Sequence, residues 1–263
     1  MTYPAGAGSF QNFFRKTEFH NFVDKALYMK KILLILFSFA SFITNAQTAD
    51  EVIRQYSAAM GGLDAFQKVQ TVKITGTVTT QGMDLPFTTQ MINGRAFRTE
   101  ADVMGQFVIS CFKDGKGWKI NPFAGAETAT DVEGAELLDL KAQSSIVSAL
   151  MDYKTRGHQV ELAGQEDVEG VRTNKIKLTA NEDGRVTNYF ISAADNILIK
   201  TSTNREFQGQ TIEVETFYSD MKEFAGLKFA MHREQKMGGQ VFQTIVYSNV
   251  ELNVPVDEKI FDK

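Results

Sequence analysis

The chain holds one cysteine, one tryptophan and three histidines in 263 residues, and it carries no excess of positive charge. A lone cysteine, Cys111, excludes any intrachain disulfide, so stability has to come from burial. Its neighbours Val108, Ile109 and Phe112 mark it as a small buried hydrophobe rather than a reactive thiol. His158 and His232 fall in separate strand-like segments, without the spacing of a helical metal pair or a third ligand nearby. A Gly-x-Ser-x-Gly elbow is missing, and Gly115-Lys116-Gly117 lacks the rest of a phosphate loop. Glu213 and Glu215 alternate along one strand, which is the pattern of a solvated face. These absences leave no constellation for catalysis, and neither an enzyme activity nor a metal or cofactor is expected.

Long apolar runs are also missing. The longest candidate, Ile32–Ile43, follows Met29-Lys30-Lys31 and precedes Thr44-Asn45-Ala46. Its twelve residues fall short of the roughly 20 that a helix needs to cross about 30 Å of hydrocarbon. A basic start, a short apolar core and small residues before Gln47 are the parts of a cleaved secretory signal peptide, here residues 29–46. Export to the periplasm, with a mature chain from about Gln47, is therefore expected. Residues 1–28 have no place ahead of such a signal, and are read as a mis-assigned or non-native extension with Met29 as the start. The alternative is a cytoplasmic extension before an anchor, in which Phe13, Phe14, Phe19 and Phe22 form a weak amphipathic face. The segment ahead of Gln47 has a net charge of +3, so the remainder stands at −7 against −4 for the whole chain. An acidic body without a basic stripe excludes nucleic acid as a partner.

What the sequence does contain is alternation. After a helical start, in which Ala49, Val52, Ile53, Tyr56 and Met60 recur at helix spacing and Gly61-Gly62 ends the pattern, the period changes from 3.6 to two at Val72, Ile74 and Val78. Strands are expected over Leu85–Ile92, Arg95–Val103, Gly105–Lys113 and Trp118–Asn121. After an interruption, more follow over His158–Gly164, Val171–Ala180, Arg185–Ser192, Ile197–Asn204, Gln210–Asp220, Leu227–Lys236 and Gln240–Leu252. Asn93-Gly94, Asp114-Gly115 and Gly238-Gly239 are turn pairs that suit positive φ. The interruption, Ala124–Tyr153, has Leu137, Leu138, Ile146, Val147, Leu150 and Met151 at helical spacing. One or two helices inserted in a meander of about eleven antiparallel strands are expected to cover a face of the curled sheet.

With 21 Phe and 10 Met, the inward stripes are bulky and pliable. Leu85, Phe87, Met91, Phe97, Phe107, Ile109, Trp118, Leu150, Met151, Ile212, Val214, Phe229 and Met231 are the candidate lining of an apolar cavity, or else plain core.

Three segments carry a family resemblance. Ala58-Ala59-Met60-Gly61-Gly62-Leu63-Asp64-Ala65-Phe66 leads into Val72-Lys73-Ile74-Thr75-Gly76; Glu223-Phe224-Ala225-Gly226-Leu227-Lys228-Phe229 lies within Thr216–Phe229; and Val254-Pro255-Val256-Asp257-Glu258-Lys259-Ile260-Phe261 ends the chain. Together with the element order, they resemble the outer-membrane lipoprotein-sorting proteins, the LolA-like carriers. The resemblance implies that residues 47–263 form a single strongly curved, unclosed antiparallel β-barrel with an N-terminal helix and inserted lid helices, the lid falling within Val132–Tyr153. It also implies a monomer that holds the acyl chains of a lipid or lipoprotein, with an outer-membrane acceptor as a further partner. Arg98 is the candidate for holding the lid; on residue pattern alone it reads as a surface arginine. A non-catalytic structural or interaction module of the envelope on the same fold is the alternative.

Overall fold

Thr48 caps the first helix. Its hydroxyl accepts from the Glu51 amide at 3.2 Å, and Asp50 and Glu51 place negative charge in the first turn of α1 (Ala49–Met60). The helix buries Val52, Ile53, Tyr56 and Met60 and stops at Gly61, which takes the left-handed conformation (φ 115°). A Cβ at Gly61 would also collide with the carbonyl oxygen of Gly226, so this glycine fixes how closely the helix end approaches the sheet. A short α2 (Leu63–Lys68) follows and buries Phe66. The computed structural model describes residues 47–207 and 209–263; the signal peptide and the reading of residues 1–28 lie outside the described residues.

Thirteen antiparallel strands form one sheet: β1 (Thr71–Thr80), β2 (Met83–Ile92), β3 (Ala96–Val103), β4 (Gln106–Lys113), β5 (Lys116–Asn121), β6 (Ala126–Val132), β7 (Gln159–Val168), β8 (Val171–Thr179), β9 (Val186–Ser192), β10 (Leu198–Phe207), β11 (Gln210–Phe224), β12 (Leu227–Met237) and β13 (Gln240–Leu252). Their order is β6-β5-β4-β3-β2-β1-β13-β12-β11-β10-β9-β8-β7. Two meanders, β1 to β6 and β7 to β13, thus meet where β1 pairs with β13, and among the described residues β6 and β7 are the free edges. The expected unclosed antiparallel barrel is what forms. The strand missed by periodicity is β6, whose sequence Ala-Glu-Thr-Ala-Thr-Asp-Val includes three helix formers and is exposed except at the half-buried Ala126 and Ala129 and the buried Val132.

The sheet curls strongly. Laid flat, β4 and β8 would stand about 43 Å apart at about 4.8 Å per strand. Yet Phe112 of β4 and Ile176 of β8 belong to one hydrophobic core that also takes in Val52, Ile53, Tyr56 and Met60 of α1. The chain between the two free edges, residues 133–158, has to cross that concave side. It contains α3 (Gly134–Gln143) followed by a run of turns that buries Val147, Leu150 and Met151 in the same core. Gly117 lets α3 sit down on β5: a Cβ there would lie 2.9 Å from Leu137 and 3.1 Å from Leu140.

A second, smaller core lies on the opposite face. Ala96, Ile109, Cys111 and Trp118 pack under Phe261 of the C-terminal 3-10 turn Glu258–Phe261. The Phe261 carbonyl accepts from Trp118 Nε1 at 3.1 Å and from the Cys111 thiol at 3.4 Å, and Arg98 donates to the Ile260 carbonyl at 3.0 Å.

Candidate functional site

The concave face and the strap across it form the site that the fold builds. Seen from the sheet, the inward series runs through Val72, Ile74 and Val78 on β1, Phe87 and Met91 on β2, Phe97 on β3, Leu227, Phe229 and Met231 on β12, and Tyr247 and Val250 on β13. Phe229 meets Phe66 at a tilt and Phe224 edge to face, each with centroids about 6 Å apart. The strap fills the remaining space: Leu150 has no exposed surface at all.

Side-chain bonds and one backbone bond, from the Gly94 amide to the Ser144 carbonyl at 2.7 Å, rather than strand pairing, hold the strap. The Asn93 carboxamide, at the β2–β3 turn, donates to the Phe66 and Val69 carbonyls and accepts from the Ile146 amide. Within the strap, Arg156 donates to the Val147 carbonyl at 3.0 Å and to Ser145 Oγ at 3.2 Å. Asp139 of α3 reaches the other arm, where it accepts from Arg185 of the β8–β9 turn and Arg205 of β10, both at 2.5 Å. At the far end Asp50 of α1 accepts from the Tyr153 hydroxyl and pairs with Lys154. The Lys154 ammonium and the Tyr153 hydroxyl hold the Asp50 carboxyl below its ordinary pKa. Where α3 meets the turns of β2–β3 and β4–β5, an open cleft of about 400 Å³ remains beside Arg95, Phe112, Leu137 and Lys141.

The structure divides the candidate lining residues into groups. Phe87, Met91, Phe97, Leu150, Met151, Phe229 and Met231 come together in the concave core. Leu85 is half-buried on the same face of β2. Val214 and Ile212 share the inward register of Tyr218 on β11, outside both cores, with Val214 buried and Ile212 half-buried. Ile109 and Trp118 lie in the second core on the opposite face, and Phe107 is 52 % exposed. Arg98 also points away from the strap: it pairs with Glu100 at 2.8 Å and stacks over Trp118, so it holds the C-terminal tail. His158 accepts from the Asn181 amide at 3.2 Å and His232 faces Ser219. Among the described residues no group of three His, Cys, Asp or Glu is placed to hold a metal ion, and no helix is long and apolar enough to cross a membrane.

The residue series also contains something that apolar patterning passes over. On β12 the inward positions Leu227, Phe229 and Met231 are followed by Arg233, which therefore faces the concave side between Tyr218 (5.8 Å to the ring centroid) and Tyr247 (4.7 Å). Tyr56 of α1 lies close by, and burial pushes its pKa up to about 12. Strict alternation would have placed Arg233 there, because the next inward residue after Met231 is residue 233.

Neither protein-family profiles nor curated protein sequences give a match to the chain. Solved structures do. A LolA superfamily protein from Nitrosomonas europaea superposes with a TM-score of 0.57 at 12% identity, over 83% of this chain and 99% of that one. The fold is LolA-like. A DUF1329 family protein from Desulfovibrio piger gives 0.56 at 12% identity over 81% and 97% of the two chains. A domain named for outer-membrane lipoprotein sorting from Vibrio parahaemolyticus gives 0.52 at 10% identity over 81% and 95%. The LolA-like likeness covers the open barrel almost end to end. At this identity it speaks for architecture and leaves the site to be argued from its own side chains.

Proposed function

We propose that this protein is an exported envelope carrier, outer-membrane lipoprotein-sorting in type, that binds the acyl chains of a lipid or lipoprotein on the concave face of its open barrel. The strap 133–158 is the lid, and no chemistry is performed on the cargo. One observation supports this most: the apolar concave face is closed by a segment joined to one arm by the Asn93 side chain and a single Gly94–Ser144 backbone bond and to the other through Asp139, not by a strand ladder, so it can leave without breaking the sheet. Acyl chains contribute about 0.8 kcal/mol per buried CH₂, and Phe, Leu and Met side chains exposed by the strap's departure would recover it. Periplasmic export by a signal cleaved near Gln47, a monomeric state and an acceptor at the outer membrane complete the proposal.

The test is native mass spectrometry with lipid extraction on protein purified from the export compartment. Near-stoichiometric lipid or lipoprotein is expected. A clean apo mass, together with failure to take up a fluorescent acyl probe, would sink the carrier reading.

A second reading has its own support, since the strap buries Leu150, Met151 and Val147 so completely that the interior is filled by the chain itself. A structural or interaction module of the envelope would look the same, and the apo outcome of the same experiment would select it.

A further inference from the structure

Eight arginines lie among the described residues. Seven of them, Arg54, Arg95, Arg98, Arg156, Arg172, Arg185 and Arg205, are paired with carboxylates. Arg233 is the exception, and it is the one that faces the concave side in the middle of the sheet. Its Nε is sealed from solvent without a hydrogen-bond partner, and its flanks are two tyrosine rings. A guanidinium stays charged at any physiological pH, so this is a cation with stacking partners and, among the described residues, no carboxylate paired to it.

The surroundings mark a boundary. Below Arg233 on β12, Leu227, Phe229 and Met231 are buried; above it Gln235 and Met237 are half-exposed, as are Leu85 and Ile245 on neighbouring strands. Hydroxyls gather on the same side: Tyr218 bonds Thr201 at 3.1 Å, and Tyr56 lies near Tyr218 and Arg233. An apolar floor, a lone cation at its upper limit and hydroxyls beside it fit the two ends of an amphiphile.

We propose that Arg233 is the headgroup site of this protein, taking the carboxylate or phosphate of an acyl-chain amphiphile whose tail lies along the core that the strap vacates. Planar, two-pronged donation from a guanidinium suits both anions, and the tyrosine rings hold the fork in place. The assignment rests on the carrier reading above, and it adds that cargo is selected by negative charge at one end.

The experiment compares binding of a dansyl-labelled undecanoic acid and its methyl ester to the full chain purified from the export compartment, with 1-palmitoyl lysophosphatidic acid and palmitic acid as competitors. The acid is expected to bind about tenfold or more tightly than the ester, with the preference lost in Arg233→Gln and partly retained in Arg233→Lys. Raising ionic strength should weaken the acid and leave the ester unchanged, a readout on the unmutated protein that holds even where Arg233→Gln fails to fold. The stronger of the two competitors tells carboxylate from phosphate. Equal binding of acid and ester, or an acid preference that survives Arg233→Gln, overturns the headgroup site and leaves the carrier standing. Binding of neither probe overturns both.

Discussion

Asp139→Asn is the sharpest perturbation of the strap, because one carboxylate there holds two arginines of the opposite arm. Asp139 and Arg185 are each about a quarter exposed, while Arg205 is 46% exposed. A partly buried charge-assisted bond contributes roughly 1.5–3 kcal/mol, and a pair as open as that to Arg205 roughly 0–1. Arg185 keeps Asp183 as a second partner at 2.9 Å, which reduces the loss on that side. The net expectation is about 2 kcal/mol, felt where α3 lifts off and hardly at all in the sheet. Since about 1.4 kcal/mol is a factor of ten, α3 should open about thirtyfold more often. Native-state hydrogen exchange reads this directly: amides of Leu140 to Gln143 should exchange about thirtyfold faster, with β1, β2 and β13 amides unchanged. An acyl probe should enter correspondingly faster in stopped flow. Unchanged exchange in α3 alongside a lower melting temperature would refute the reasoning, since the ion pairs would then support the whole fold rather than a separable lid.

Three other expectations follow from the packing. Phe261→Ala should cost about 3–5 kcal/mol in urea unfolding, because the ring is 1% exposed and its carbonyl serves both Trp118 and Cys111; a loss below about 1 kcal/mol would mean that the tail is not docked. Gly61→Ala forces a Cβ against the Gly226 carbonyl at positive φ, so a loss of about 2–3 kcal/mol is expected, and a melting temperature equal to wild type would contradict the close approach. Burial pushes the Cys111 thiol up to about 11 and Tyr56 up to about 12, so the folded chain keeps protons that the unfolded chain releases from about pH 9 and 10. Stability from these groups is complete below pH 9 and declines as pH rises toward 11 and 12; a flat melting temperature over that window would show the groups to be solvated.

Much of this architecture is legible in the residues, and the reasons for the gaps are physical. The helix from Ala49 to Met60, the Gly61 stop and the twelve strands with clean alternation are local patterns, and local patterns survive folding. β6 escaped because an exposed edge strand needs no apolar face. Facing was harder. Period two shows that Phe107, Ile109 and Cys111 share one side of β4 and Phe112 the other, but not which side curls inward. The bulkier stripe looked like the lining, and the second core under Phe261 took Ile109 and Trp118 instead. The strap's anchors, Asn93, Asp139, Arg185 and Arg205, come from four separate segments, and only the topology brings them together.

A filled interior also bounds the affinity. A palmitoyl-length tail has about 14 CH₂ groups, roughly 11 kcal/mol on full burial. To enter, it displaces Val147, Leu150 and Met151, each worth about 1.5–3 kcal/mol where buried, or about 4–9 together. The difference, at most about 7 kcal/mol, corresponds to a dissociation constant no tighter than about 10 μM, and an anionic headgroup on Arg233 brings this to about 1 μM. Displacing the lid thus offsets a large part of what the tail gains, which favours the release that a carrier requires. Because the competent, strap-open form is a minor population, loosening the strap should tighten apparent binding by the same factor that it raises opening. Asp139→Asn should therefore improve the affinity for a single-chain acyl probe, up to about thirtyfold, without touching the lining. Isothermal titration of the wild type and this variant decides it. Nanomolar binding by the wild type, or no gain in the variant, would mean that cargo enters a space the strap does not occupy.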